Sequence, residues 1–131
     1  MIAPPPAGAA PHVGRHVGIL DDDPAVRESL RFLLDVSGYP AATFESADDF
    51  LAHRDHAGLA GLILDHHMPR VTGLELVARL RTAGDTLPVL LITGSPSPAI
   101  TAQAAALGVV RTMEKPPAED DLLRFVAAVL G

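Results

Sequence analysis

The run Leu62-Ile63-Leu64-Asp65 constrains this chain more than any other stretch. Bounded by Gly61 and by the turn-forming Pro69, it fits a strand covered on both faces, the kind found in parallel sheets flanked by helices. It ends in a carboxylate. Taken alone, Asp65 serves equally well as a strand cap or the start of a turn, so its meaning depends on what other segments bring to the same edge.

Those segments repeat one pattern. His16 to Leu20 reads as a first strand running into Asp21-Asp22-Asp23-Pro24. Asp23 then suits an N-cap with Pro24 at the first helical position, and Val26, Leu30, Leu33 and Leu34 share one helical face until Gly38. A second strand spans Ala41 to Phe44, and Ser46 with Asp49 signals a helix carrying Phe50 and Leu51. After Asp65, Thr72 and Glu75 form a capping-box pair ahead of Leu76, Val77 and Leu80, with Gly84 as the stop. Pro88 to Ile92 predicts a fourth strand followed by Thr93-Gly94-Ser95. Ser97-Pro98 opens a helix with Ile100, Ala104 and Leu107, closed by Gly108. Val109 to Met113 predicts a fifth strand followed by Glu114-Lys115-Pro116, and a last amphipathic helix runs from about Ala118 to the end.

Strict βα alternation means a parallel, doubly wound α/β sheet of five strands with helices on both faces, because parallel neighbours need crossover connections. All strand C-termini then share one edge, where ligands gather near the point at which strand order reverses. That edge collects Asp21, Asp22, Asp65, Thr93 and Lys115. The second strand alone ends without such a group, which fits an off-centre place in the sheet. Residues 1–13, mostly Pro, Ala and Gly, have little to bury and read as a flexible tail ahead of one domain over residues 14–131.

Composition narrows the chemistry. A net charge of -6 argues against gripping a nucleic-acid backbone. With 4% aromatic residues, sites built on base or ring stacking are disfavoured, and the absence of cysteine removes disulfide and thiolate chemistry. Neither a secretory leader nor an apolar run of membrane-spanning length is present, so the chain reads as soluble and cytoplasmic, with no membrane partner.

Three carboxylates at one edge repel one another, by roughly 4 kcal/mol per pair at 4 Å and an effective dielectric near 20. A cation among them is required. All-oxygen donors favour Mg²⁺, Lys115 supplies a second positive charge, and the Thr93 hydroxyl beside small Gly94 can donate to an oxygen arriving at Asp65. These parts suit phosphoryl transfer to an aspartate.

The pattern Ile-Leu-Asp-Asp-Asp-Pro, then Leu-Ile-Leu-Asp-His-His-Met-Pro with Thr72-Gly73, Leu-Ile-Thr-Gly and Glu-Lys-Pro resembles the receiver domain of two-component response regulators over roughly His16 to Leu130. Ser-Gly-Tyr and Phe-Glu-Ser-Ala-Asp-Asp-Phe-Leu look most like the nitrogen-fixation and oxygen-signalling subgroup. The resemblance implies the flavodoxin-like (βα)5 receiver fold and a switch that takes a phosphoryl group on Asp65 from a sensor histidine kinase or histidine phosphotransfer protein. It implies that Asp22 ligates Mg²⁺ directly and Asp21 mostly through water, that Asp65 and the His67 backbone carbonyl complete the protein ligands, and that Thr93 and Lys115 contact the phosphoryl oxygens. A cis peptide between Lys115 and Pro116 is also implied. Such relatives usually carry a DNA-binding output domain, and this chain is expected to lack one, acting on a downstream protein or output domain, with homodimerisation left open.

Some residues weigh differently. Asp23 reads as a cap rather than a ligand. His66 and His67, adjacent on an extended segment, are expected to point apart, which argues against a zinc site. Thr112 departs from the family pattern, standing where receivers commonly carry a Phe or Tyr that swings inward on activation. Rival readings are a phosphorylation-independent interaction module and a small aspartate-nucleophile phosphatase suggested by Asp21-X-Asp23, but the chain is short for the latter and has no cap domain.

Overall fold

The computed structural model describes residues 14–131; the expected tail at 1–13 lies outside the described residues. Each apolar run expected to pair does so. The strands are β1 (His16–Leu20), β2 (Ala41–Phe44), β3 (Leu59–Asp65), β4 (Val89–Thr93) and β5 (Arg111–Glu114). The helices are α1 (Pro24–Val36), α2 (Ala47–His53), α3 (Gly73–Thr82), α4 (Pro98–Ala106) and α5 (Glu119–Leu130).

The five strands form one sheet in the order β2-β1-β3-β4-β5, with every adjacent pair parallel. The chain leaves β1 toward β2 on one side and returns to β3 on the other, so strand order reverses between β1 and β3 and opens the crevice where such sheets bind ligands. β2 lies at the outer edge, away from that crevice.

Side chains alternate across the sheet, as the pleat demands. Leu62, Leu64, Val89 and Leu91 face α2, α3 and α4, packing with Phe44, Phe50, Leu76, Val77 and Leu80. Val17, Ile19, Ile63, Leu90 and Ile92 face α1 and α5, packing with Leu30, Leu34, Leu122, Phe125 and Val126. Burial on both faces is what an uninterrupted apolar run such as Leu62-Ile63-Leu64 encodes.

The helix signals resolve in detail. The Asp23 carboxylate accepts from the Ala25 N–H with Pro24 in the first turn, and Thr72 with Glu75 forms a complete capping box. Ser46 accepts from the Asp49 N–H, and Asp49 reaches past Ser46 to accept from the Glu45 N–H, so the pair caps α2 without forming a reciprocal box. Gly38, Gly84 and Gly108, the expected stops, take φ of 83°, 82° and 74°, a region open to glycine without a Cβ penalty. β5 begins at Arg111, two residues later than expected, although the N–H of Val110, 60% exposed, already bonds the Val89 carbonyl at 2.9 Å. β4 likewise begins at Val89 and extends through Thr93.

Candidate phosphoacceptor site

The strand register brings the charged residues together. Ile19 pairs with Ile63 and Leu20 with Leu64, so Asp21 leaves β1 beside Asp65 at the end of β3. Asp21, Asp22 and Asp65 each offer an oxygen within 4.8 Å of the others, a grouping able to hold a metal ion. Asp21 and Asp65 are buried at 3% exposure, whereas Asp22 is exposed. Asp23 takes no part in this cluster and caps α1, as expected.

Lys115 reaches the cluster from β5 across β4. Its Nζ lies 3.0 Å from Asp21 Oδ2 and 3.1 Å from Asp65 Oδ1. The peptide between Lys115 and Pro116 is cis, and the Lys115 N–H donates to the Thr93 carbonyl at 2.9 Å. Burial pushes the Asp65 carboxyl above its ordinary value and the negative charge of Asp21 adds to that rise, against the opposing hydrogen bond and charge of Lys115 and the His67 N–H. Burial alone would lower the Lys115 pKa, but its hydrogen bonds and charge interactions with Asp21 and Asp65 outweigh this and hold the ammonium above its ordinary value. Two buried acids and one partly exposed ammonium therefore share the strand edge with one negative charge in excess, before Asp22 is counted. A bound divalent cation fits that donor set: all oxygen, anionic and partly open to water at Asp22.

Neighbouring backbone aims the acid. The His67 N–H donates to Asp65 Oδ1 at 3.3 Å, and the Gly73 N–H donates to the His66 carbonyl at 3.0 Å. A Cβ on Gly73 would lie 2.7 Å from the Asp65 carbonyl oxygen and 2.9 Å from His66 Cα, so only glycine lets α3 start this close to the strand end. Arg27, one turn into α1, donates from Nη1 to the Asp21 carbonyl at 2.7 Å and ties the helix to the acidic loop. Nothing in the sequence singled out Arg27, because a spacing of six residues across a loop and a helix start has no periodic signature.

The structure departs from expectation at the histidines. The chain bends at His66 immediately after β3, so the His66 and His67 rings do not point apart but meet edge to face with centroids 5.0 Å apart. His66 accepts from the Leu74 N–H at Nδ1, and burial holds it below its ordinary value, with His67 adding to the effect against Glu75. The His67 Nε2 lies 2.8 Å from Thr93 Oγ1. Thr93, fully buried, also accepts from the Ser95 N–H at 3.1 Å. The Thr93 hydroxyl, expected to stand ready for an oxygen at Asp65, is engaged in the structure by the His67 imidazole, a contact that the sequence of β4 alone does not signal. The equal offset of His67 from Asp65 and of Ser95 from Thr93 was the available signal.

A doubly wound sheet with this acid, hydroxyl and lysine at its carboxyl edge defines a class, and comparison with known proteins assigns the chain within it. The model of the response regulator receiver domain matches residues 17–127. The transcriptional regulatory protein FixJ of Bradyrhizobium diazoefficiens is 32% identical over 115 residues, covering 88% of this chain and 56% of that protein. The response regulator protein TodT of Pseudomonas putida is 35% identical over 112 residues, covering 86% of this chain and 49% of that protein. The crystal structure of FixJ-N superposes with a TM-score of 0.77 at 29% identity, covering 88% of this chain and 93% of that one. The chain belongs to the response regulator receiver domain family, has the flavodoxin-like fold, and within the family is similar to FixJ-like regulators. It spans about half the length of the curated relatives it matches. Receiver domains of response regulators are signalling switches rather than turnover enzymes. Among the described residues no helix is long and apolar enough to cross a membrane.

Proposed function

We propose that this chain is a phosphoryl-accepting switch in which Asp65 receives the group from a phosphohistidine on a sensor kinase or phosphotransfer protein, in a Mg²⁺-dependent step. The carrying observation is that Lys115 holds the buried carboxylates of Asp21 and Asp65 at 3.0 and 3.1 Å, leaving the nucleophile beside a fixed positive charge. Asp21, Asp22, Asp65 and the His67 carbonyl are the groups that would hold Mg²⁺, which when bound supplies electrostatic stabilisation for charge on the transferring group. Lys115 stabilises the same charge from the other side, and Thr93 offers its hydroxyl to a phosphoryl oxygen. Burial keeps competing water away from the nucleophile.

The donor's approach is favoured along α1. An apolar groove of about 450 Å³ between Val26, Leu30 and the Lys115-Pro116-Pro117 segment opens beside the Lys115 ammonium. Farther along α1, Phe32 and Val36 stand exposed at 68% and 62%, a surface suited to the apolar face of a partner helix. The cytoplasm is the compartment this partner implies, and the response would pass to a downstream protein or output domain. Nucleic acid is not expected to be bound by this segment itself.

Incubation with a small phosphodonor, with and without Mg²⁺, followed by intact mass measurement tests the proposal. One phosphoryl group per chain should be added only with Mg²⁺ and never to Asp65→Asn. Equal incorporation in wild type and Asp65→Asn would overturn it.

A further inference from the structure

The contact between His67 and Thr93 constrains how the switch can work. A threonine hydroxyl has one proton and two lone pairs. At Thr93 the Ser95 N–H, fixed by the backbone, takes one lone pair at 3.1 Å, and His67 Nε2 stands 2.8 Å away. Thr93 is fully buried, so bulk water cannot take its proton. Among the described residues, His67 Nε2 is the acceptor placed to receive it.

Two neutral arrangements compete. If Nε2 carries the imidazole proton, Thr93 accepts twice and its own buried proton is left without a partner, which disfavours that arrangement by roughly tenfold. If Nδ1 carries the proton, Thr93 donates to Nε2 and both groups of the contact are satisfied, on a residue exposed enough for water to serve Nδ1–H. The second arrangement prevails at rest, and in it the one proton that Thr93 could give to a phosphoryl oxygen is already committed.

We infer that His67 is a positioning residue that latches Thr93 through its Nε2 in the resting state, and that a phosphoryl group on Asp65 releases the latch by competing for the same hydroxyl proton. This deepens the proposed function and rests on it. The proton count balances: the Thr93 O–H turns from Nε2 to the phosphoryl oxygen, Nε2 takes a proton from solvent, and Nδ1 returns one to solvent. In the released state Nε2–H donates to the second Thr93 lone pair, so the same contact that held the hydroxyl back then aims it at the phosphoryl group. The imidazole changes from acceptor to donor without leaving its place.

The test uses the whole chain with ¹⁵N-labelled histidine and follows the two ring nitrogens of His67. His67→Ala identifies the His67 ring resonances by difference. The ring nitrogen shifts should report Nδ1–H before, and Nε2–H after, addition of beryllofluoride with Mg²⁺ as the phosphoryl mimic. His67→Ala leaves the buried Thr93 proton without its acceptor in the resting state and only a second lone pair without its donor in the released one, so the dissociation constant of beryllofluoride should fall about fivefold, the difference between those two losses. Thr93→Val should abolish that effect of His67→Ala, because without the hydroxyl there is nothing to latch. If amide shifts around Asp65 show the mimic bound while the His67 ring keeps one tautomer, the latch is refuted and the phosphoacceptor reading stands. If no amide moves at any mimic concentration, the phosphoacceptor reading fails and the latch falls with it.

Discussion

Replacing Lys115 by Met keeps most of the side chain's apolar stem and removes its charge from between two buried acids. The ammonium lies 3.0 Å from Asp21 and 3.1 Å from Asp65, so at an effective dielectric near 20 each contact carries roughly 5 kcal/mol of gross attraction. Desolvation of the ions offsets much of this, and breaking such a buried pair costs about 3 kcal/mol when the acids stay ionised. Asp65 has an escape, because burial and Asp21 already raise its pKa and Lys115 is a chief opposing influence. In Lys115→Met its pKa rises further. An acid whose folded pKa exceeds its unfolded one carries no penalty below the unfolded value of 3.8, and the penalty grows as pH rises through the folded value. The wild-type lysine, raised above 10.5, keeps its stabilising contribution throughout the range below that value. The loss in Lys115→Met should therefore be small near about pH 5 and approach about 3 kcal/mol near about pH 9. Urea denaturation at several pH values measures it. Mg²⁺ should restore more stability to this variant than to wild type, by occupying the place of the missing charge. A loss that is the same at every pH and indifferent to Mg²⁺ would mean that the two acids are not coupled through Lys115.

Gly73→Ala should cost about 2 kcal/mol, since two of the three atoms its Cβ meets are backbone and α3 must move; it should also weaken Mg²⁺ binding, read by calorimetry, whereas Gly94→Ala, with open space around it, should do neither. Arg54→Met removes a pair with Asp85 at 2.6 Å in which the arginine side chain is 8% exposed, and should cost about 3 kcal/mol at neutral pH. Burial pushes Asp85 up, but the Leu87 N–H and Arg54 outweigh it and hold the acid below its ordinary value. That contribution is present above the ordinary carboxylate value and lost as pH falls through the depressed one, so the gap between wild type and Arg54→Met should narrow in acid denaturation below about pH 4. Thr112 is too short to bury much area in either of two positions, and Ala104 is the sole fully buried residue of α4. Amide shifts on beryllofluoride binding should therefore be largest from Thr93 to Ile100 and smaller from Val110 to Met113; the reverse order would make β5 the moving element.

How much was legible beforehand differs between fold and site. Leu62-Ile63-Leu64 declared a strand buried on both faces, and the caps at Asp23, Thr72 and Ser97 declared helix starts, because periodicity and capping are local properties written within a few residues. Alternation of those elements forced a parallel sheet, and with it the sharing of one edge by Asp21, Asp65, Thr93 and Lys115. Pairings that depend on side-chain direction across the sheet were not legible. Lys115 and Asp21 are separated by 94 residues, and no rule of spacing states that one ammonium will lie about 3 Å from two buried acids. The bend at His66, which turns two adjacent rings toward each other and carries His67 onto Thr93, depends on α3 approaching closely over Gly73. Arg27 finds the Asp21 carbonyl only once α1 has packed on the sheet. The local sequence determined which groups stand at the edge; packing of helices against both faces decided which of them touch, because contact geometry there is set by the whole sheet rather than by any one segment.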